Sequence, residues 1–514
     1  MQNKVTYALN LSLVAVFIFA LFSYWGIRSP DGEVVFRTVQ ALATQGEFAV
    51  SDDPVLNGFG LSPGTDGKLY SLFGPGEAIL AVPLYKLAEA LDRSVWFQHA
   101  PYFVGKSFFV HGGISSFLKG NLPDDLAPHA LRMVVSLFNI MVSSICVLVF
   151  FWTIKALTRS DQGALFTTVL FAFGSLLLPY SGTFFSEPMA ALWVMVSFYL
   201  LVRNGGEKNS LAPWTLLAAG VALGLATVTH LSAVLFAPFF CVFAAYLIRK
   251  DAAFPAYTGL AGAVIFSAGL AALLVLLGYH DYARFGDVFE TGRTAGANTY
   301  GTFVVPWQGL MGELFGAGKG LIFYCPAIIL GLVAWLPFHK KHRMLSFVIM
   351  AACLFRVIFI AARSDWHGGF SLGPRYLLML VPFLLLPIGV WVSESIRAGN
   401  RKALLMFAVS SFACIAQQIY FSVGEIFSYL YSVKWSGMKR GVNVLKDDLI
   451  YLDWDVSPLL HLLDGQRGPL LLNWIELNNY TLWLLLVVLA AVALALVYFV
   501  TLKAEFWSRG ITRD

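Results

Sequence analysis

Apolar runs of roughly 18 residues or more recur from one end of this 514-residue chain to the other, and a helix of that length crosses a hydrocarbon core of about 30 Å. Composition agrees, since 58% of residues are hydrophobic and 13% are charged, against about 25% charged in soluble proteins. The chain reads as an all-α polytopic membrane protein with about twelve spans. They are expected near 7–27, 131–153, 163–180, 186–202, 212–228, 231–248, 256–279, 320–337, 344–362, 377–394, 403–424 and 480–502. The first run follows Lys4 and lacks an Ala-x-Ala cleavage site, so it is read as a retained anchor and not as a signal peptide.

Orientation follows from the short loops, where Lys and Arg collect on the cytoplasmic side. Lys155 and Arg159, Arg203 and Lys208, Arg249 and Lys250, Lys340, Lys341 and Arg343, and Arg397, Arg401 and Lys402 all follow even-numbered spans. Both termini are therefore expected inside. The longest polar regions, 28–130, 425–478 and 280–319, then lie outside. Cys146, Cys241, Cys325, Cys353 and Cys414 fall within the spans and form no CxxC pair, which suggests neither a disulfide framework nor a zinc site. A net charge of +5, spread over inner loops, argues against a nucleic-acid partner.

The first outer loop opens with Ser29-Pro30-Asp31. Ser is a favoured N-cap and Pro a favoured first helical residue, so a helix is expected here, lying on the membrane surface and ending near Gly46. Asp31 and Glu33 sit in its first turn, where the positive end of the helix dipole favours ionised acids. A second such helix is expected from Pro75, after "FGPG". Glu187 and Pro188 stand at the outer end of the fourth span, on the same side as Asp31. An ionisable residue at such a boundary is a functional candidate, and a capping acid is the structural alternative.

One span, an acid at its outer lip, two surface helices with "DGKLYSLFGPGEAILAVPLY" between and within them, and an acid-Pro heading span four form an order that resembles the GT-C superfamily of membrane glycosyltransferases. Protein O-mannosyltransferases, lipid A aminoarabinose transferases and bacterial arabinofuranosyltransferases belong to it. The likeness is good over 1–203, patchier over 280–376, and fails over 425–514. It implies a GT-C-like catalytic domain over 1–424, followed by an outer loop and a last helix over 425–514. It also implies an inverting transfer of a sugar from a polyprenyl-phosphate donor to an acceptor hydroxyl, at the outer face of a bacterial cytoplasmic membrane. The acceptor is a glycan, lipid or protein, and the sugar stays open between pentofuranose, aminopentose and hexose.

The same resemblance assigns roles. Asp31 is the general base, with Glu33 as the second candidate because Gly32 separates acids that are often adjacent in the family. Glu187 orients the acceptor or a cation. The leaving phosphate needs fixed donors, for which the outer loops offer Arg375, supported by Lys319 and Arg284. Tyr70, His367 and Tyr376 are placed in the donor or acceptor pocket. No cofactor is required; Asp31 and Glu187 are the two acids a divalent cation would use, and a monophosphate met by cations does not need one.

Other patterns carry less. Gly369 to Gly373 matches the GxSxG of hydrolase elbows but joins two spans instead of a strand and a helix. His230 has no partner at metal spacing and reads as a satisfied turn residue. Gly220-x-x-x-Gly224 is a helix-packing motif. A twelve-helix secondary transporter or lipid-linked sugar flippase is the rival class; it predicts short outer loops and an internal repeat, neither of which the sequence offers.

Overall fold

The computed structural model describes residues 2–23, 26, 27, 29–50, 58–93, 129–203, 212–250, 259–293, 302–424, 426, 427, 429, 430, 433 and 451–464. The expected span at 480–502, most of the 425–478 loop, Lys208 and the 94–128 part of the first outer loop lie outside the described residues. The described parts of the other expected spans are mostly helical. The order is α1 (Gln2–Phe22), α2 (Pro30–Gln45), β1 (Ala49–Val50), β2 (Leu61–Pro63), β3 (Leu69–Ser71), α3 (Pro75–Asp92), α4 (His129–Ser136), α5 (Phe138–Thr158), α6 (Asp161–Phe173), α7 (Leu177–Ser181), α8 (Ser186–Val202), α9 (Pro213–Thr229) and α10 (Ala237–Lys250). It continues with α11 (Gly259–Phe285), α12 (Trp307–Phe315), α13 (Leu321–Tyr324), α14 (Ala327–Val333), α15 (Trp335–Lys341), α16 (Arg343–Ala361), α17 (Val381–Arg397), α18 (Arg401–Val423) and α19 (Pro458–His461).

Among the described residues, six helical stretches are long and apolar enough to cross a membrane, so the all-α polytopic class holds. Two expected spans are broken. Span three divides at Gly174–Leu176 into α6 and α7. Span eight divides into α13, α14 and α15 because Pro326 lacks an N–H and disfavours a helical Cys325, whose φ and ψ are −142° and 65°. Close packing elsewhere depends on glycine. A methyl group at Gly220 would lie 1.9 Å from the Phe266 carbonyl oxygen, and one at Gly269 2.2 Å from that of Leu217, so α9 and α11 touch backbone to backbone, as the Gly220-x-x-x-Gly224 spacing suggests.

The two loop helices form as their sequences dictate. The Ser29 hydroxyl accepts from Gly32 N at 3.0 Å, Pro30 occupies the first helical position, and Gly46 closes α2 with φ 73°. Phe36 and Val39 are fully buried, contributing roughly 1.5–3 kcal/mol each, and the Phe36 ring meets Tyr85 of α3 at 5.9 Å. A small antiparallel sheet, ordered β1-β3-β2, joins the two helices; its strands of two or three residues are too short for alternation to reveal in the sequence.

Glu33 belongs to this scaffold. It is wholly buried, Arg132 of α4 donates to both its oxygens at 2.9 and 2.6 Å, and Arg37 donates at 2.8 Å. The expectation that Glu33 is the alternative base is therefore corrected: its oxygens are committed to two guanidiniums that lock α2 to α4. Burial alone would raise its carboxyl, but Arg132 and Arg37 outweigh that and hold it below the ordinary 4.5. The pair's contribution is complete above that ordinary value and is lost as pH falls through the lower folded one. Glu33→Gln leaves Arg132 buried beside a neutral partner and is expected to destabilise by about 3–5 kcal/mol. The thermal unfolding midpoint of the purified protein measures it, and a midpoint equal to the parent's would show that other contacts hold Arg132.

Candidate functional site

Helix starts converge at one end of the bundle. Asp31 stands in the first turn of α2 and Glu187 in the first turn of α8, so both acids lie at helix N-termini, where the backbone favours negative charge. Arg375 opens a 3-10 turn, Arg375–Leu380, that leads into α17. It reaches both acids: its Nη1 lies 2.6 Å from Asp31 Oδ2 and its Nε 3.6 Å from Glu187 Oε1. The guanidinium also lies over the rings of Phe185 and Tyr376, at 4.6 and 5.1 Å, which restricts its plane.

The turn before Arg375 aims it. Gly368, Gly369 and Gly373 have φ of 67°, 68° and 57°, a region L side chains rarely adopt, and a Cβ on Gly368 would lie 2.9 Å from Arg375 Cγ. Tyr180 Oη donates to the Leu372 carbonyl at 2.6 Å. Lys319 lies beneath the turn, donating to the carbonyls of Gly369 and Ser371 at 2.8 Å each and to Ser371 Oγ at 3.0 Å. The GxSxG serine thus serves as a lysine's acceptor.

Around these residues is a cavity of about 420 Å³, whose wall includes Asp31, Glu187, His230, Arg284, Arg293, Arg363, Arg375 and Tyr376. Of the sequence-derived candidates, Asp31, Glu187, Arg284, Arg375 and Tyr376 come together here. Arg284 is held at 2.8 Å to the Ser71 carbonyl and 2.5 Å to Asp281. Lys319, expected beside Arg375 as an anion ligand, is instead spent on the turn's oxygens, and burial followed by the nearby Arg375 pushes its ammonium well below its ordinary value. His367 also stands outside the cavity wall. It stacks on Tyr451 at 4.5 Å, its Nδ1 accepts from Gly369 N at 2.9 Å, and burial and then Lys319 push it down to about 3, so the ring is neutral.

Tyr70 lines a second, apolar cavity of about 540 Å³ with Ile79, Leu80, Met189, Leu225, Leu273 and Leu276. Its hydroxyl donates to Asp66 at 2.9 Å, and burial and then that acid raise it to about 12. The two cavities share Pro75, Thr229, Leu277 and Arg284.

Several cavity residues escaped the sequence reading. His230 is tied to Ser232 Oγ at 2.8 Å, yet its Nε2 lies 3.9 Å from Glu187. Arg363 grips Asp365 with two bonds of 2.8 and 2.7 Å. No hydrogen bond or ion pair to a described residue fixes Arg293. Arg293 and Arg363 immediately adjoin segments singled out for their cations, so the same signal, a cation beside a span's outer end, would have found them. Among the described residues no group of three or more His, Cys, Asp and Glu could hold a metal ion. Between Asp31 and Glu187, the pair considered for a divalent cation, lies the Arg375 guanidinium.

These features define a multi-pass membrane protein with a charged cavity at one end of its bundle and an apolar cavity beside it. The family model for dolichyl-phosphate-mannose-protein mannosyltransferases matches residues 112–278. No curated protein matches the chain by sequence. The structure of ArnT from Cupriavidus metallidurans bound to undecaprenyl phosphate overlays on 90% of this chain and 78% of its own, at 14% identity and a TM-score of 0.50. The archaeal oligosaccharyltransferase AglB from Archaeoglobus fulgidus, in complex with an inhibitory peptide and a dolichol-phosphate, covers 89% of this chain and 60% of its own at 12% identity and 0.47. The S. cerevisiae Pmt1-Pmt2 complex bound to the sugar donor covers 59% and 36% at 16% and 0.34. The chain has the GT-C fold, and the resemblance drawn from its sequence is borne out.

Lys319→Met keeps length and removes all three donated bonds. The abandoned carbonyls and hydroxyl are expected to destabilise the protein by about 1–3 kcal/mol, read as a lower thermal midpoint. Because the side chain does not reach the cavity, phosphate-ester binding by the folded variant should match the parent's; a large loss of binding with an unchanged midpoint would return Lys319 to the site.

Proposed function

We propose that this chain is an inverting glycosyltransferase that moves a sugar from a polyprenyl-phosphate donor to an acceptor hydroxyl at the outer face of the cytoplasmic membrane, in a bacterium the periplasmic face. One observation carries the reading: a partly exposed carboxylate, Asp31, and a guanidinium, Arg375, face one cavity, and an apolar cavity adjoins it at Arg284. The donor has the same division into a charged head and an apolar tail. The likeness to ArnT, whose structure holds undecaprenyl phosphate, supports it, as does the mannosyltransferase match over 112–278.

The polyprenyl tail lies along Ile79, Leu80, Leu273 and Leu276, and the phosphate enters between Arg375 and Arg293. Phosphate competes with Asp31 for Arg375, and the freed carboxylate takes the proton of the acceptor hydroxyl. That oxygen attacks the anomeric carbon from the face opposite the phosphate. The carbon–oxygen bond to phosphate breaks, its electron pair stays on the phosphate, and the anomeric configuration inverts. Guanidiniums already in place meet that charge without reorganisation. Glu187 and His230, on the opposite wall, orient the acceptor. The reaction as written draws on no cofactor, because Arg375 supplies the positive charge between the acids.

Purified protein in liposomes with radiolabelled polyprenyl-phosphate sugars tests the reading. Label should pass to an added hydroxyl acceptor, glycan, lipid or protein; label that crosses the bilayer untransferred would make the protein a carrier. Asp31→Asn keeps the shape of the side chain and removes its basicity, so transfer should fall by at least about 10²-fold with donor binding retained. Arg375→Lys keeps charge and loses the two-pronged contact, so donor affinity and rate should both fall. Unchanged turnover in either variant removes that residue from its role.

A further inference from the structure

Glu77 is a buried acid that the transfer chemistry does not use. It stands in the first turn of α3, has no exposed surface, and neither carboxyl oxygen has a hydrogen-bond partner. The chain around it is tightly packed. A Cβ on Gly74 would lie 2.4 Å from the Val228 carbonyl oxygen, and one on Gly76 2.6 Å from Thr229 Oγ1, so the start of α3 is pressed onto the end of α9. A naked buried carboxylate is among the costliest groups a protein can hold, and such groups neutralise instead.

The polar side chain beside Glu77 is Asn139 of α5. Its Nδ2 donates to the carbonyls of Thr183 and Phe185 at 2.8 Å each, spanning the turn that delivers Glu187 to the cavity. Its Oδ1 is buried and has no donor. An O–H on Glu77 is the donor this oxygen lacks. Protonation of the acid would let these two orphaned groups satisfy one another.

We propose that Glu77 is a neutral carboxylic acid that positions Glu187, acting through Asn139 and the Thr183–Phe185 turn. The assignment rests on the reading that Glu187 belongs to the active cavity. Burial, and then the negative charge of Glu187, outweigh the opposing contact with Asn139 and raise the Glu77 carboxyl to about 8, which favours the protonated acid at neutral pH. The charged groups described on the elements packed against α3 are Asp31, Glu33 and Arg37 on α2 and Arg132 on α4, with none on α9. Glu33 takes Arg132 and Arg37, and Asp31 takes Arg375, so these cations are committed to other acids, and among the described residues no ion pair reaches Glu77. Ionisation sets a second negative charge against Glu187 and ends the O–H donation to Asn139. Since the folded value is raised, the neutral arrangement is intact at lower pH and lost as pH rises through about 8.

Infrared difference spectroscopy of the full-length protein in liposomes, parent against Glu77→Gln, tests the protonation state without reference to transfer. The parent should show a carboxylic-acid carbonyl band at neutral pH that Glu77→Gln removes and that alkali titrates away. Transfer measured against pH tests the positioning. The parent should lose rate above pH about 8; Glu77→Gln, which keeps a neutral donor, should retain transfer and lose that alkaline limb. Glu77→Leu, which cannot donate, should lose transfer by about 10–10²-fold, the scale of a small misplacement of a site group. A missing difference band, or Glu77→Leu with the parent's rate and pH profile, overturns the proposal. A parent that shows the band and transfers no sugar overturns the transferase reading and leaves the neutral acid established.

Discussion

Arg375 binds together parts of the chain that are remote in sequence: the first turn of α2, the first turn of α8 and the glycine turn ahead of α17. It is 8% exposed, so its charge must be met within the protein, and two carboxylates meet it. The reverse also holds. Asp31 and Glu187 face one cavity at helix N-termini, and without a cation between them two like charges would oppose each other. Such a triad is costly to assemble and costly to break. The rest of the site is arranged around it: Lys319 and Tyr180 hold the turn that aims Arg375, while the rings of Phe185 and Tyr376 restrict the guanidinium.

The same arrangement makes the resting site both closed and ready. The positive charge a phosphate needs is present but occupied by a carboxylate of the right kind to act as a base. In the proposed reaction an incoming phosphate would do two things at once, taking a place on the guanidinium and releasing Asp31. Arg293, without a fixed partner among the described residues, adds positive charge that no acid in the wall has claimed. The neighbouring cavity is lined mainly by apolar side chains, although Glu47, Lys68, His280 and Arg284 also face it, so desolvation favours the apolar tail of an amphipathic ligand there.

Much of the scaffold was legible in the residues. The Ser29-Pro30 start and Gly46 end of α2, the Pro75 start of α3 and the packing role of Gly220 all follow from local chemistry, and each is where it was expected. Asp31, Glu187 and Arg375 could be nominated because each is an ionisable residue at the end of an apolar run. Glu33 and Lys319 carry the same signal and yet lie elsewhere. Glu33 faces away from the cavity because it is two positions on from Asp31, about 200° around a helix of 3.6 residues per turn. Lys319 lies beneath the turn because three oxygens converge there. Neither fact is written in the local sequence.

By itself, the sequence determined that the chain spans a membrane, where the two helices of the first outer loop begin, and which short list of acids and cations stands at the edge of the apolar runs. Those outcomes depend on residues within a few positions of one another: the length of a run, the identity of a cap, the ring of a proline. Tertiary structure alone decided which acid meets which cation. Glu33 found Arg132 across 99 positions, Asp31 found Arg375, and Glu77 was buried beside Asn139 with no ion-pair partner among the described residues. Burial sets the energy of a charge, and burial is a property of the packed bundle, not of any stretch of chain.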